Sequence, residues 1–555
     1  MGNASKRKEN NFLLQGGVLA AAGIISRLIG LVYRIPLTNI ITERGQGIYD
    51  IAFQIYSIAL LLTSYSLPLA VSKLVSERVA KGETTNAYRV FKSAMAFAVT
   101  AGGGIAIVVF FGARGIATHM MSMSLSTHAL KVLAPGLLFV AVMGVLRGYF
   151  QGLGTMLPTA VTQILEQIVN AIVSLIGAKV LLDFGKTAAR EQGDELLEYA
   201  YAAAGSTLGT VVGALCGLLF LALLFFAYKK RLKRQLRSDR SAHKESYRFI
   251  IKIMLLTIAP VLLSTVVYNL QNILDNAIFN GIMSAQGLTE ADYARDNGRL
   301  SNYLTMVSIP LAIANALAVS FIPTIVRAAE TKRKRVIHEK IHTLIRVTML
   351  ITFPCAVGYI ALARPIADML FFRLDNEVLA IMLQLGAISI VFDGLSTVTN
   401  AVLQGLNRMM KPVKNAAVAL VIHLIALFIV LVFFKWGIYG VIISKIVFSI
   451  VMCIMNSHDI REEIGYVQEQ RKTMLVPAIA AGIMGIVTFM FYFILNIFCP
   501  HVVATLIAIV VAVITYTLSV LLLGGISEEE LLAMPRGARV VKILRRLHLL
   551  NEESY

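Results

Sequence analysis

Charged side chains inside apolar stretches are where chemistry would be found in this chain. Arg27 and Arg34 lie in "GIISRLIGLVYRIPL" (23–37), Glu166 in "TQILEQIVNAIVSLI" (162–176) and Asp275 in "NLQNILDNAIFN" (269–280). A charge held deep in a bilayer is expensive and is a functional candidate by default. A guanidinium does not deprotonate, and its planar fork matches phosphate. Two arginines in a first apolar stretch therefore suit an anionic, phosphorylated ligand. Glu166 and Asp275 suit pairing with those arginines, or the uptake of protons or cations. Arg34 stands closer to an end and could snorkel to the interface; Arg147 and Arg299 share that ambiguity.

Neutral polar residues recur beside these charges at helical spacing. Gly23, Arg27, Gly30 and Arg34 form one stripe, and Gln163, Glu166, Gln167, Asn170 and Ser174 a second. A third has Asn269, Asn272, Asn276 and Asn280 with Gln271 and Asp275 beside them; a fourth has Ser389, Asp393, Ser396, Thr397, Asn400 and Gln404. The bland reading of any single member is interhelical hydrogen bonding. Taken together, the stripes describe a hydrated cavity between helices. The candidate ligands are Arg27, Arg34 and Arg299 for the anion. Gln163, Glu166, Gln167, Asn170, Asn272, Asp275, Asn276, Asp393 and Asn400 are the polar or ion-coupling set.

The elements that must position these residues are membrane helices. Of 555 residues, 57% are hydrophobic and 15% charged, and the mean hydropathy is +0.74. No soluble exterior can be built from that composition. The net charge of +19 falls in short basic runs between apolar segments, which is the positive-inside pattern rather than a nucleic-acid surface. Four cysteines stand singly and offer neither a metal site nor a disulfide frame. "KRK" at 6–8 and "AAAG" at 20–23 superficially fit a cleavable signal, but the apolar stretch runs on past them.

Stretches of roughly 20 apolar residues give about fourteen spans. They begin near Phe12, Gln46, Tyr88, Thr127, Thr155, Tyr199, Phe249, Arg299, Val336, Val378, Lys411, Gly437, Met474 and His501. Alternate loops hold the basic runs, such as "KKRLKRQLRSDR" (229–240), and the intervening ones include "EQGDELLE" (191–198). Both termini are then expected in the cytoplasm. After Gly525, Ser527 and Glu530 have capping-box spacing, and "RGARVVKILRRLHLL" reads as an interfacial helix.

The two halves echo each other. "LAVS" occurs at 69–72 and again at 317–320, and "QGL" at 151–153 and 404–406, each "QGL" followed by a Met and a Pro. Spans one to six then map onto seven to twelve as parallel repeats, whose substrate site is expected between them. The expected division is a lobe over 1–228, a basic linker over 229–248, a second lobe over 249–458, two further spans over 459–524 and the tail over 525–555. The expected fold is an all-α polytopic membrane protein with about fourteen helices in two pseudo-symmetric lobes around a central cavity.

These features resemble the multidrug/oligosaccharidyl-lipid/polysaccharide (MOP) flippase superfamily, and within it the SpoVB/YtgP polysaccharide-transport branch. The resembling stretches are "SRLIGLVYRIPL" (26–37), "GQGIYDIAFQIYS" (45–57), "SLPLAVSKLVSE" (66–77), "QGLGTMLPTAVTQILEQIVN" (151–170) and "PLAIANALAVSFIPTI" (310–325). The branch is similar to MurJ-type lipid II flippases, in which "SR-x-x-G" of the first helix opens an arginine-lined cavity. Ser26, Arg27 and Gly30 match that pattern; Arg34 matches the next arginine with a one-residue shift, and Arg299 is a match to a cavity arginine of the eighth helix. The family's paired arginines of the second helix have no counterpart, since the stretch here reads "ALLLTSY" (59–65). This cavity is less positive than the lipid II pattern.

The resemblance implies a bacterial plasma-membrane flippase for an undecaprenyl-pyrophosphate-linked cell-wall precursor, with lipid II as leading substrate. Its partners would be that lipid, the bilayer and cell-wall synthesis proteins, with no nucleic acid. "GKT" at 185–187 lacks the Walker A glycine, Val180 standing in its place. Membrane potential or an ion gradient is thus the expected energy source, with no cofactor or metal. Two alternatives remain open: another lipid-linked polysaccharide unit, or multidrug/cation antiport using Glu166 and Asp275. A membrane enzyme would need a polar catalytic domain, and the longest polar stretches hold no such constellation. A scaffold would leave the intramembrane charges without a task.

Overall fold

A helix in lipid must satisfy its backbone internally, and the chain obeys that rule almost throughout. The computed structural model describes residues 2–63, 67–239, 244–330 and 334–525; the expected interfacial helix of the tail lies outside them. Every element among the described residues is helical. Two units divide the chain, Met1–Ser301 and Asn302–Tyr555.

The first unit begins with α1 (Gly2–Thr63) and α2 (Leu67–Ala80). The helix α3 (Thr84–Phe97) continues through a π-turn at 98–102 into α4 (Gly103–Met121). Then come α5 (Thr127–Gly152), α6 (Leu157–Gln192), α7 (Leu197–Ser238) and α8 (Tyr247–Ala285). The helix α9 (Glu290–Glu330) starts in the first unit and runs into the second. There follow α10 (Lys334–Leu370), α11 (Glu377–Gly405), α12 (Met410–Ile429), α13 (Ile438–Ile464), α14 (Val476–Phe498) and α15 (His501–Leu522).

Among the described residues, twelve helices are long and apolar enough to cross a membrane. The expected spans beginning near Phe12 and Gln46 are merged in α1, which breaks at Thr42 (φ 63, ψ 179). The span expected near Phe249 lies on α8. Outward faces are greasy: Phe111 and Phe498 are each 80% exposed. In lipid that inversion costs nothing, because the surroundings are as apolar as a protein core.

Inside the first unit the helices meet through small residues. On α7, Gly205, Gly209, Gly213 and Gly217 recur every fourth position and so share one face. A Cβ at Gly205 would collide with the Gly177 carbonyl of α6, and one at Gly209 with Ser174 Oγ. A Cβ at Gly213 would stand 2.7 Å from the Glu166 carbonyl oxygen. The glycines bring α7 against the polar stripe of α6, the small-xxx-small packing of membrane helices.

The basic stretch that begins at 229 is helical as far as Ser238, where α7 ends. Beyond it Glu245 docks on the α2–α3 turn, where Arg78 donates to its carboxylate from Nε (2.8 Å) and Nη2 (2.6 Å). Arg89 donates to the Glu245 carbonyl at 2.8 Å and stacks 4.1 Å over the Tyr247 ring. Ser246 then caps α8 by accepting from the Phe249 N–H. Ile250, Met254 and Ile258 of α8 pack into the core formed with α2, α3, α5 and α7.

Candidate functional site

Two contacts fix how the polar stripe of α1 meets that of α6. Asn170 Nδ2 donates to Tyr33 Oη at 3.3 Å, and the Cβ direction of Gly30 ends 3.7 Å from Gln167 Oε1. Both pairs have the same sequence separation, so the helices run parallel in one register. That register sets Arg27, one turn before Gly30, level with the Gln163–Glu166 turn. Gly30 has no side chain to keep Gln167 away. Asn170 is held in turn by Ser174, whose hydroxyl donates to Asn170 Oδ1 (3.0 Å) and to the Ser206 carbonyl of α7 (2.7 Å).

Arg27 is exposed, and among the described residues no ion pair engages it. It lies about 22 Å along the helix before the break at Thr42, from the 1.5 Å rise per residue. Glu166 is paired instead with Arg147 of α5. Arg147 Nη2 donates to Glu166 Oε2 at 2.8 Å and Nε to Thr162 Oγ1 at 3.1 Å. The Oε1 of Gln163, on the same face, is buried without a hydrogen-bond partner.

Arg34 and Arg299 belong to a second cluster, around the break in α1. Arg34 Nη2 stands 4.0 Å from Asp50. Gln46 Nε2 donates to Asp50 (3.3 Å) and to Ser301 Oγ (3.1 Å), while its Oε1 accepts from Thr38 (3.1 Å). Arg299 donates to Glu43 at 3.1 Å and to Asp296 at 3.3 Å, and Arg295 approaches Glu43 at 4.0 Å. A Cβ at Gly298 would overlap the Glu43 carbonyl, so backbone touches backbone where α9 crosses α1. These two arginines thus meet carboxylates of the chain itself.

On α8, Asp275 and Asn276 are buried and Asn272 is exposed; Asn276 Oδ1 is buried without a hydrogen-bond partner. In the second unit, Asp393 of α11 accepts from Ser449 of α13, and Lys445 of α13 is within electrostatic reach of it. Asn400 accepts from Asn456 Nδ2 at 2.8 Å, and Asn456 also accepts from Asn415 at 3.0 Å. Asn415 reaches Asp459 at 2.7 Å, and Lys411 pairs with Asp459 at 2.8 Å. This ladder ties α11, α12 and α13 together.

Of the residues singled out by sequence, then, Gln163, Glu166, Gln167 and Asn170 lie on α6 where it meets α1, and Arg27 is exposed at their level. Arg34 and Arg299 gather at the break in α1, and Asp393 and Asn400 are engaged inside the second unit. Sequence reading overlooked Glu43 and Asp50, the carboxylates that meet the arginines, because "TERGQGIYD" (42–50) looks like a polar turn. It also overlooked the four-residue glycine repeat of α7, whose spacing was visible, and Lys445, a lone charge inside an apolar helix. Among the described residues no group of three or more metal-binding side chains occurs.

The fold defines a class: a multi-pass, all-helical membrane protein with the architecture shared by MOP superfamily transporters. It is similar to the structure titled "Lipid II flippase MurJ, inward closed conformation", with a TM-score of 0.63 at 14% identity, covering 90% of this chain and 97% of that one. An inward-facing multidrug resistance MATE family transporter of the same superfamily gives a TM-score of 0.61 at 17% identity, covering 79% and 94%. Residues 13–329 match the family described as "Polysaccharide biosynthesis protein", and the chain belongs to that family.

Its relatives include three proteins of Bacillus subtilis (strain 168). "Stage V sporulation protein B" is 27% identical over 350 residues, covering 62% of this chain and 63% of that protein, less than two thirds of its length. "Lipid II flippase MurJ" is 26% identical over 430 residues, covering 74% and 76%. "Uncharacterized membrane protein YabM" is 25% identical over 549 residues, covering 97% and 98%.

Proposed function

We propose that this protein is a flippase for a lipid-linked polysaccharide precursor, and that lipid II is the substrate to test first. The observation that carries this reading is Arg27, an exposed residue of a membrane helix whose register against α6 sets it level with the polar stripe of that helix. A fixed positive charge there suits a phosphate or pyrophosphate linkage. The amides of Gln163, Gln167 and Asn170 suit sugar hydroxyls, while the prenyl chain stays in lipid. Transport follows alternating access driven by membrane potential or an ion gradient, with both termini in the cytoplasm. Membership of the polysaccharide biosynthesis family and the likeness to a lipid II flippase support the reading.

Arg34 and Arg299 enter this reading as supporting charges whose carboxylate partners reduce their pull on a substrate. That lower net charge favours, as second reading, a lipid-linked glycan other than lipid II. Purified protein in vesicles loaded with labelled lipid II tests both. Export lost in Arg27→Ala supports the first reading; no export by the folded protein under an imposed potential and ion gradient shifts it to another glycan.

A further inference from the structure

We propose that Arg147 is a second phosphate ligand of the α1–α6 face, and that Glu166 is its resident competitor. The carboxylate holds the guanidinium until an anionic substrate displaces it. This rests on the phosphate-reading transport proposed above.

Three features of the pair suit it to release its guanidinium. Its side chains are 15% and 21% exposed, so it is neither sealed nor fully solvated. Arg147 touches Glu166 through a single Nη2–Oε2 contact, not the double fork of the strongest arginine–carboxylate pairs. Thr162 takes the neighbouring Nε and aims the guanidinium without adding charge, so the group stays oriented when the carboxylate leaves. Arg299, by contrast, is gripped by both Glu43 and Asp296.

The surroundings of Glu166 complete the argument. From α5 it faces Arg147; from α1 the Tyr56 hydroxyl is within electrostatic reach, and Arg27 is level with it by the Tyr33–Asn170 register. From α7 it meets Gly213 and Gly217, which bring no charge. With no ligand, two cations and one anion share this level. A diphosphate that replaces the carboxylate meets both guanidinium groups at once. Glu166 therefore lowers affinity for any anion that cannot engage Arg27 and Arg147 together, which is selection by competition.

Equilibrium binding of a short-chain polyprenyl pyrophosphate to the purified full chain in detergent tests the proposal, with inorganic pyrophosphate as the probe without a lipid. Glu166→Gln is expected to bind the lipid probe about tenfold more tightly than the unaltered protein, because the guanidinium is released at constant shape. The added substitution Arg147→Gln should remove that gain. Should the double variant not fold, Arg147→Lys in its place keeps the charge, loses the fork, and must shrink the gain. If Glu166→Gln folds but binds no tighter, while Arg27→Ala still loses affinity, the pair is a brace between α5 and α6 and the proposal fails alone. If the unaltered protein binds neither probe, or Arg27→Ala binds as well as it does, the phosphate-reading transport falls as well.

Discussion

Asn170 on α6 donates to the hydroxyl of Tyr33 on α1 at 3.3 Å, with Asn170 7% and Tyr33 8% exposed. This one hydrogen bond holds α1 in register with α6, and with it the level of Arg27. A bond between buried neutral groups contributes about 1 kcal/mol net, and leaving a partner stranded costs about 1–3 kcal/mol. Asn170→Ala should therefore lower thermal stability more than Tyr33→Phe. The double variant should fall short of the sum, since the two residues share one contact. Additive melting-temperature losses would show that the register is set elsewhere.

The α6–α7 seam depends on the absence of side chains. Gly205→Leu forces a side chain into the backbone of Gly177, and overpacking of this kind costs at least about 1–3 kcal/mol. Loss of monodisperse protein in size-exclusion chromatography is expected. Gly104→Ala is the control, because a Cβ there meets nothing within 4 Å; its elution should match that of the unaltered chain.

Thr42 holds a positive φ of 63 at the break of α1, in a region that only glycine enters freely. Strain of this kind costs of order 1–3 kcal/mol. Thr42→Gly should raise the melting temperature, the relieved strain exceeding the freedom that glycine gains in the unfolded chain. A fall in melting temperature would mean that Thr42 does not spend its time in this conformation.

Glu469 lies between α13 and α14 and accepts from the Lys472 and Thr473 backbone N–H groups (2.7 and 2.9 Å) and from the Thr473 hydroxyl (3.0 Å). Partial burial works to raise its pKa, but these hydrogen bonds outweigh it and hold the carboxyl below the ordinary value of 4.5. A carboxylate with a depressed folded-state pKa stabilises above its unfolded value and loses that contribution as pH falls through the folded one. Glu469→Gln should therefore cost stability at pH 7, and the difference should shrink as the pH drops below about 4.5. A pH-independent difference would count against this cap.

The helices were legible because each is an apolar run bounded by charge, and lipid leaves the backbone no alternative. The break at Thr42 was not, since nothing in "NIITERGQGIYD" (39–50) sets it apart from a turn between two spans. The α6 stripe was legible from spacing alone. The choice of partner was not: Glu166 pairs with Arg147 of α5 rather than with Arg27. Pairing is decided by which helices pack together, and the glycines of α7 decide that through tertiary contacts that hydropathy does not encode.

The most direct measurement is potential-driven flipping of lipid II in proteoliposomes by the unaltered protein, Arg27→Ala and Arg27→Lys, each checked for folding by its melting curve. Flipping by the unaltered protein, reduced at least about tenfold in Arg27→Ala and partly kept in Arg27→Lys, is expected of a fixed cation reading phosphate. Undiminished flipping by folded Arg27→Ala would contradict it.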